Sequence, residues 1–298
     1  MTSNSIETLR TTADVGRGRL FILLSAFLWS LAGVFIKFLD VHPLVIVFYR
    51  SLFASFVFMP FLRRRDFTWG VPVLISFITY TAAITAFVSA NKLTTAANAI
   101  VLQYTAPIFV FLFSHFALGE TISRLNGIAL AIAMCGVAII SFDSAGQPQM
   151  VGVLLALLSG VLFAGYMINL RNTREISPVY LTWINNLFCA LLLLPFVSSR
   201  LSVGTQELWV LALMGGVQLG LPYFFFSKGL RSISLQEASL IALVEPVLNP
   251  IWVALMVGEI PALATITGGA MILVGLTVRY IWPLLSQSRA PRSELTLR

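Results

Sequence analysis

Apolar residues recur along this chain in long, nearly unbroken runs, without the strict alternation of a half-buried strand or the single stripe of a soluble helix. Ten runs reach or approach the roughly 20 residues a helix needs to cross the hydrocarbon of a bilayer: 20–39, 43–62, 70–91, 96–118, 123–142, 150–170, 178–197, 206–228, 236–257 and 262–282. Breakers fall between several of them: His42-Pro43, the stretch from Asp143 to Pro148, Ser177-Pro178 and Pro261. The connections are short and leave no room for a soluble domain. The pattern predicts an all-α integral membrane protein with ten transmembrane helices. Its expected divisions are an N-terminal segment 1–19, a five-helix unit 20–142, a linker 143–149, a second five-helix unit 150–282 and a tail 283–298.

Composition agrees with the pattern. Of 298 residues, 58% are hydrophobic and 10% charged, with mean hydropathy +0.91. A soluble domain carries about 25% charged residues, so this surface is expected to be solvated mostly by lipid. The first nineteen residues are polar and nothing in them resembles a secretory leader. The run from Leu20 has no small-residue cleavage site and reads as a retained span. Cys135 and Cys189 each lie in an apolar run without C-x-x-C spacing or clustered histidines, so no disulfide framework, metal or cofactor is expected. The net charge of +7 reads as arginine in cytoplasmic loops, with no nucleic-acid partner. With the N-terminus inside, fifteen of the 19 Lys and Arg fall on the inner side. Lys37, Lys92 and Arg200 fall outside, and Arg50 lies within the second run. That bias predicts both termini in the cytoplasm and an even number of spans.

An internal repeat divides the chain. TAPIFVFLFSHFALGE (105–120) aligns with VEPVLNPIWVALMVGE (244–259), matching Pro107 to Pro246 and Gly119-Glu120 to Gly258-Glu259. The same offset carries Gly136 onto Gly275, and LSAFLWSLAG in the first run is similar to LSGVLFAGYM in the sixth. Five spans is an odd number, so the second copy enters from the other side and the two five-helix repeats are expected to be inverted.

Taken in order, FLWSLAGVFIK (27–37), FYRS (48–51), TAP (105–107) followed by ALGE (117–120), and EP (245–246) followed by VGE (257–259) resemble the drug/metabolite transporter superfamily in its ten-span EamA type. The resemblance covers roughly residues 20–282. It implies export or exchange of small metabolites, amino acids among them, across the bacterial inner membrane. The aromatic content of 12% is similar to that of exporters of aromatic and other neutral amino acids.

Polar residues inside apolar runs are the candidates for chemistry. Glu245, Asn249 and Trp252 are spaced i, i+4, i+7 and share one helix face. Pro246 and Pro250 free carbonyls on the preceding turn, which hydrocarbon tolerates only beside protein or a wet cavity. Glu245 is the candidate proton-coupling group. The matching span offers Asn98, Gln103 and Tyr104. The first span offers Trp29 and Ser30, beside Gly33, whose small size allows close helix approach. Tyr80, Tyr166, Asn169 and Tyr223 complete the substrate-binding candidates, with Gln218 near Tyr223. Inverted symmetry assigns spans one, three, four, six, eight and nine to the cavity. Spans five and ten, with Gly136, Gly268 and Gly275, are the expected scaffold.

Glu120 and Glu259 are expected to sit near the N-termini of spans five and ten as dipole partners, after glycines that end the preceding helices. Arg50 is expected to pair with Asp40 or snorkel outward, and Lys37 to do the same or to meet a substrate carboxylate. His115 reads as a packed interfacial residue.

The reading that follows is a secondary transporter, monomeric or homodimeric, with a small-molecule substrate and lipid as its surroundings. Exporters of other metabolites or drugs stand beside the amino-acid reading. No Gly-Lys dipeptide is present for an ATP-binding loop. An intramembrane enzyme lacks a constellation: all four aspartates fall outside the spans, and neither H-E-x-x-H nor G-x-S-x-G occurs. A channel remains as the other class, separated from a carrier by saturable counterflow.

Overall fold

The computed structural model describes residues 12–106, 108–110, 112, 113, 124–173, 175–229, 232, 233, 238 and 241–288. Among the described residues there are helices and turns and no strand. The first run holds α1 (Thr12–Ser30) and α2 (Ala32–Phe38), interrupted at Leu31. Then come α3 (Pro43–Phe58), α4 (Val71–Leu93), α5 (Ala96–Gln103), α6 (Arg124–Asp143), α7 (Met150–Asn169) and α8 (Pro178–Val197). The next run is α9 (Thr205–Leu213), a π-helical stretch Met214–Gly220 and α10 (Leu221–Gly229). It is followed by α11 (Val244–Val257) and α12 (Leu263–Ser288).

The ends of these helices follow from local chemistry. Pro43, Pro72 and Pro178 stand in first turns, where a missing N–H costs nothing. His42 accepts the Leu44 N–H at Nδ1 (3.3 Å), and Thr95 accepts the Asn98 N–H at Oγ1 (3.1 Å), each capping its helix. Gly258 ends α11 at φ 78°, the left-handed position expected of that glycine.

Among the described residues, six helices are long and apolar enough to cross a membrane: Asp14–Phe38, Pro43–Phe61, Val71–Leu93, Met150–Asn169, Pro178–Arg200 and Thr205–Phe226. Further apolar helical stretches, Ala96–Val110, Gly127–Asp143, Val244–Val257 and Leu263–Val278, lie in the runs read as spans four, five, nine and ten. Large apolar side chains face outward, among them Phe142, Trp209, Leu255 and Phe196. A surface of that kind suits acyl chains, and the chain is a multi-pass membrane protein.

Close packing uses the glycines. A Cβ added to Gly136 of α6 would lie 2.3 Å from the Gly268 carbonyl oxygen of α12, and Gly275 stands as tightly on Ala129. These two helices therefore approach nearly backbone to backbone. The main apolar core lies where α2, α3, α4, α5, α7 and α8 meet, around Ile36, Val45, Val88, Leu102, Val153 and Cys189.

Two charged residues depart from expectation. Glu259 lies in the loop before α12, yet its carboxylate accepts the Ala96 N–H (2.7 Å) at the start of α5 and pairs with Lys37 at 2.6 Å. Lys37 also donates to the Thr94 carbonyl (2.8 Å). The glutamate thus neutralises a cation and caps a distant helix, the dipole partner being α5 in place of α12. Arg50 neither pairs with Asp40 nor snorkels, being only 3% exposed. Glu120, Gly119, Pro107 and His115 lie outside the described residues.

Candidate functional site

The site grows from interrupted helices. At Leu31 the first helix breaks, and the carbonyls of Trp29 and Ser30 accept from side chains of other helices. Asn249 Nδ2 donates to the Ser30 carbonyl (2.9 Å) and Gln218 Nε2 to the Trp29 carbonyl (3.3 Å). Trp252 Nε1 donates to Ser30 Oγ (3.0 Å), which in turn donates to the Phe27 carbonyl (2.6 Å). The approach of α2 to α11 depends on Gly33, where a Cβ would come within 2.7 Å of Asn249 Oδ1 and 2.9 Å of Val253. Asn249 and Trp252 thus point together at the break in the first helix, as their i, i+3 spacing allows.

A second break lies at the end of α5. Tyr104 closes that helix, and its hydroxyl lies 2.8 Å from Glu245 Oε2 and 3.0 Å from the Ala242 carbonyl. Glu245 sits in the first turn of α11. The phenol of one interrupted helix therefore meets the carboxyl of another.

Aromatic rings gather beside them, half-buried at Trp29, Tyr223 and Phe226 and buried at Tyr80 and Tyr166. The Trp29 ring meets Tyr223 edge to face, centroids 5.3 Å apart, and Phe226 at the same distance. Tyr80 and Tyr166 pack at 5.7 Å. Their hydroxyls join a polar ladder along α8: Tyr80 donates to Asn186 Oδ1 (3.0 Å), Asn185 Nδ2 donates to the Tyr166 oxygen (3.3 Å), and Ser76 donates to Asn185 Oδ1 (3.1 Å). Tyr223 lies within electrostatic reach of Tyr80, Tyr166, Arg50 and Glu245.

Of the residues singled out in the sequence, Trp29, Ser30, Tyr80, Tyr104, Tyr166, Tyr223, Glu245, Asn249 and Trp252 fall in this connected group. Three do not join it. Asn98 gives its polar atoms to Thr94 Oγ1 (3.1 Å) and Thr265 Oγ1 (2.7 Å), tying α5 to α12. Asn169 donates to the Pro72 carbonyl (2.7 Å), tying the end of α7 to the start of α4. Gln103 is half-buried, with its carbonyl near Gly160. The structure adds Arg50, Asn185 and Asn186. An arginine inside a span and adjacent asparagines within an apolar run were the signals available for them. A groove of about 490 Å³ between α4, α7 and α8 is lined mostly by Ile78, Leu155, Leu158, Leu162 and Phe196 and shares no residue with the group.

An uncharacterized transporter of Archaeoglobus fulgidus is 27% identical over 268 residues, covering 88% of this chain and 96% of the relative. The pseudopaline exporter CntI of Pseudomonas aeruginosa is 27% identical over 273 residues, covering 86% and 93%. A solved crystal structure superposes with a TM-score of 0.64 at 18% identity over 88% of this chain and 96% of the other, which shows a shared fold. The EamA-like transporter family matches residues 16–142 and 150–281, the stretches that carry every helix of the site. With transporters as its relatives and that match running over nearly its whole length, the chain belongs to the EamA-like transporter family.

Proposed function

We propose that this protein is a secondary transporter that exports or exchanges small metabolites, with aromatic and other neutral amino acids as its substrates. It works by alternating access around a site near the bilayer midplane, in a bacterial inner membrane, with both termini in the cytoplasm. Its ten spans form two inverted five-helix repeats, 20–142 and 150–282, that rock about the site. The family match on 16–142 and 150–281 supports that division.

The observation that carries the reading is the contact of Tyr104 with Glu245, which joins interrupted helices from the two halves at 2.8 Å. A carboxyl group in an apolar stretch is costly unless it pairs or protonates. At a hinge between moving halves, that cost becomes a means of coupling. Trp29, Tyr80, Tyr223 and Trp252 supply the aromatic pocket, and Ser30, Tyr166 and Asn249 the polar contacts. The pseudopaline exporter among the relatives favours a second reading, export of a bulkier metabolite from the same site.

Reconstituted protein in liposomes separates these readings. Counterflow of labelled phenylalanine, leucine and a panel of drug cations, with and without a pH gradient, is expected to saturate for the amino acids. Conductance without saturation would instead make the protein a pore, and saturable flux of drug cations alone would reassign the substrate.

A further inference from the structure

We propose that Arg50 is the carboxylate-binding residue of the transport site, so that the substrate carries a carboxylate as its invariant group. This rests on the transporter reading above and specifies what that site recognises.

Arg50 stands in the middle of α3, seven residues past Pro43 and so about 10 Å along the helix axis. It is 3% exposed, and its Nε and Nη1 atoms have no hydrogen-bond partner. Among the described residues, the groups that bear on its charge are Tyr80, Cys189 and Tyr223, none of them a carboxylate. The Cys189 sulfur already accepts from the Ser51 hydroxyl (3.3 Å), and the Tyr80 hydroxyl is given to Asn186. A buried guanidinium without a counter-charge is among the most unfavourable arrangements a protein core or a bilayer can hold. An anion arriving beside it recovers that cost, so the cost of the empty site becomes affinity for the ligand. A guanidinium matches a planar carboxylate with two parallel hydrogen bonds.

The surroundings hold the residue in place. Gly215 of the π-helical stretch packs on α3 so closely that a Cβ there would lie 2.6 Å from the Arg50 carbonyl oxygen. That stretch also carries Gln218, whose Oε1 is buried without a donor, and Asn249 Oδ1 is in the same condition. Unmatched donors on Arg50 call for a ligand with an anionic end. Tyr223 lies in electrostatic reach of both Arg50 and Glu245. A small zwitterion suits these two charges, its carboxylate on Arg50 and its ammonium toward Glu245.

The test is binding to the purified full chain in detergent, read by tryptophan fluorescence, with four matched probes: phenylalanine, 3-phenylpropionate, phenethylamine and phenylalaninamide. The two carboxylates are expected to bind at least tenfold tighter than the two probes without one. Arg50→Gln is expected to abolish that difference by weakening the two carboxylates, and Arg50→Lys to keep part of it. Equal binding of all four probes by the wild type, binding of none, or a preference that survives in Arg50→Gln would overturn the proposal. Should Arg50→Gln fail to fold, the wild-type ranking and Arg50→Lys decide. If 3-phenylpropionate binds as tightly as phenylalanine and loses its advantage in Arg50→Gln, the role of Arg50 stands and the amino-acid reading falls.

Discussion

Tyr104 has one hydroxyl proton and two acceptors in range, the Ala242 carbonyl at 3.0 Å and Glu245 Oε2 at 2.8 Å. When Glu245 is ionised, the phenol donates to it and the carbonyl goes without. When Glu245 carries a proton, it donates to the phenol oxygen and the phenol donates to the carbonyl, so every group is satisfied. A single proton thereby rearranges the contact between two interrupted helices. Glu245→Gln keeps the size and hydrogen bonding but cannot exchange a proton. It is expected to retain counterflow while losing at least tenfold in uptake driven by a pH gradient, measured in proteoliposomes; undiminished gradient-driven uptake would remove Glu245 from coupling. Tyr104→Phe removes a donor from a half-buried contact, at about 1–3 kcal/mol, and is expected to lower the unfolding temperature in detergent. The shared face of Glu245, Asn249 and Trp252 was legible in the sequence because helix spacing is local. Its partner Tyr104 was not, since the two lie 141 residues apart. Arg50 was misread for the same reason: a neighbouring aspartate in sequence gave no sign of the tyrosines around it in space.

Helices meet here through small residues and caps. Gly33 lets α2 approach Asn249 and Val253, and Gly33→Leu is expected to force the helices apart, at about 1–3 kcal/mol of overpacking. Transport should fall at least tenfold, while Gly16→Leu, which has open space at that position, should be near neutral. Normal flux in Gly33→Leu would count against a tight α2–α11 contact. The cap of α3 is sensitive to pH. Partial burial, and after it the Arg200 guanidinium, holds the His42 imidazole below its ordinary range. The neutral ring is the form that accepts the Leu44 N–H, so the cap is fully present above the ordinary imidazole pKa. It is lost as pH falls through that value toward the lowered one in the folded protein. The Leu44 amide is expected to exchange faster at about pH 5 than at about pH 7.5 relative to the intrinsic rate, and His42→Asn, which caps without titrating, to remove the difference. The positions of most helices were readable from apolar runs and breakers. The interruption at Leu31 was not, because the carbonyls beside it are taken by Asn249 and Gln218 from elsewhere in the chain.

At the scale of the molecule, apolar side chains cover much of the outside while polar ones gather within, the reverse of a soluble domain. Tyr104 closes α5 and Glu245 stands in the first turn of α11, so the site lies where helix ends from distant parts of the chain meet. Reporter fusions after residues 66, 146 and 288 test the proposed orientation. The first and last are expected to report from the cytoplasm and to agree with the N-terminus. A fusion at 146 is expected to report from the outer face. Any other alternation would refute inverted halves.

The sequence by itself determined that the protein is helical and lives in lipid, and marked which helix faces carry polar groups. Those properties follow from run length and from a 3.6-residue period, which any short window contains. The tertiary structure alone decided which polar groups meet. It set Tyr104 on Glu245, Asn249 and Gln218 on the broken first helix, Glu259 on Lys37 and α5, and Arg50 among tyrosines without an acid. The physical reason is that a buried polar atom is satisfied by whatever lies within about 3 Å of it, and in a helical bundle that neighbour comes from a different part of the chain.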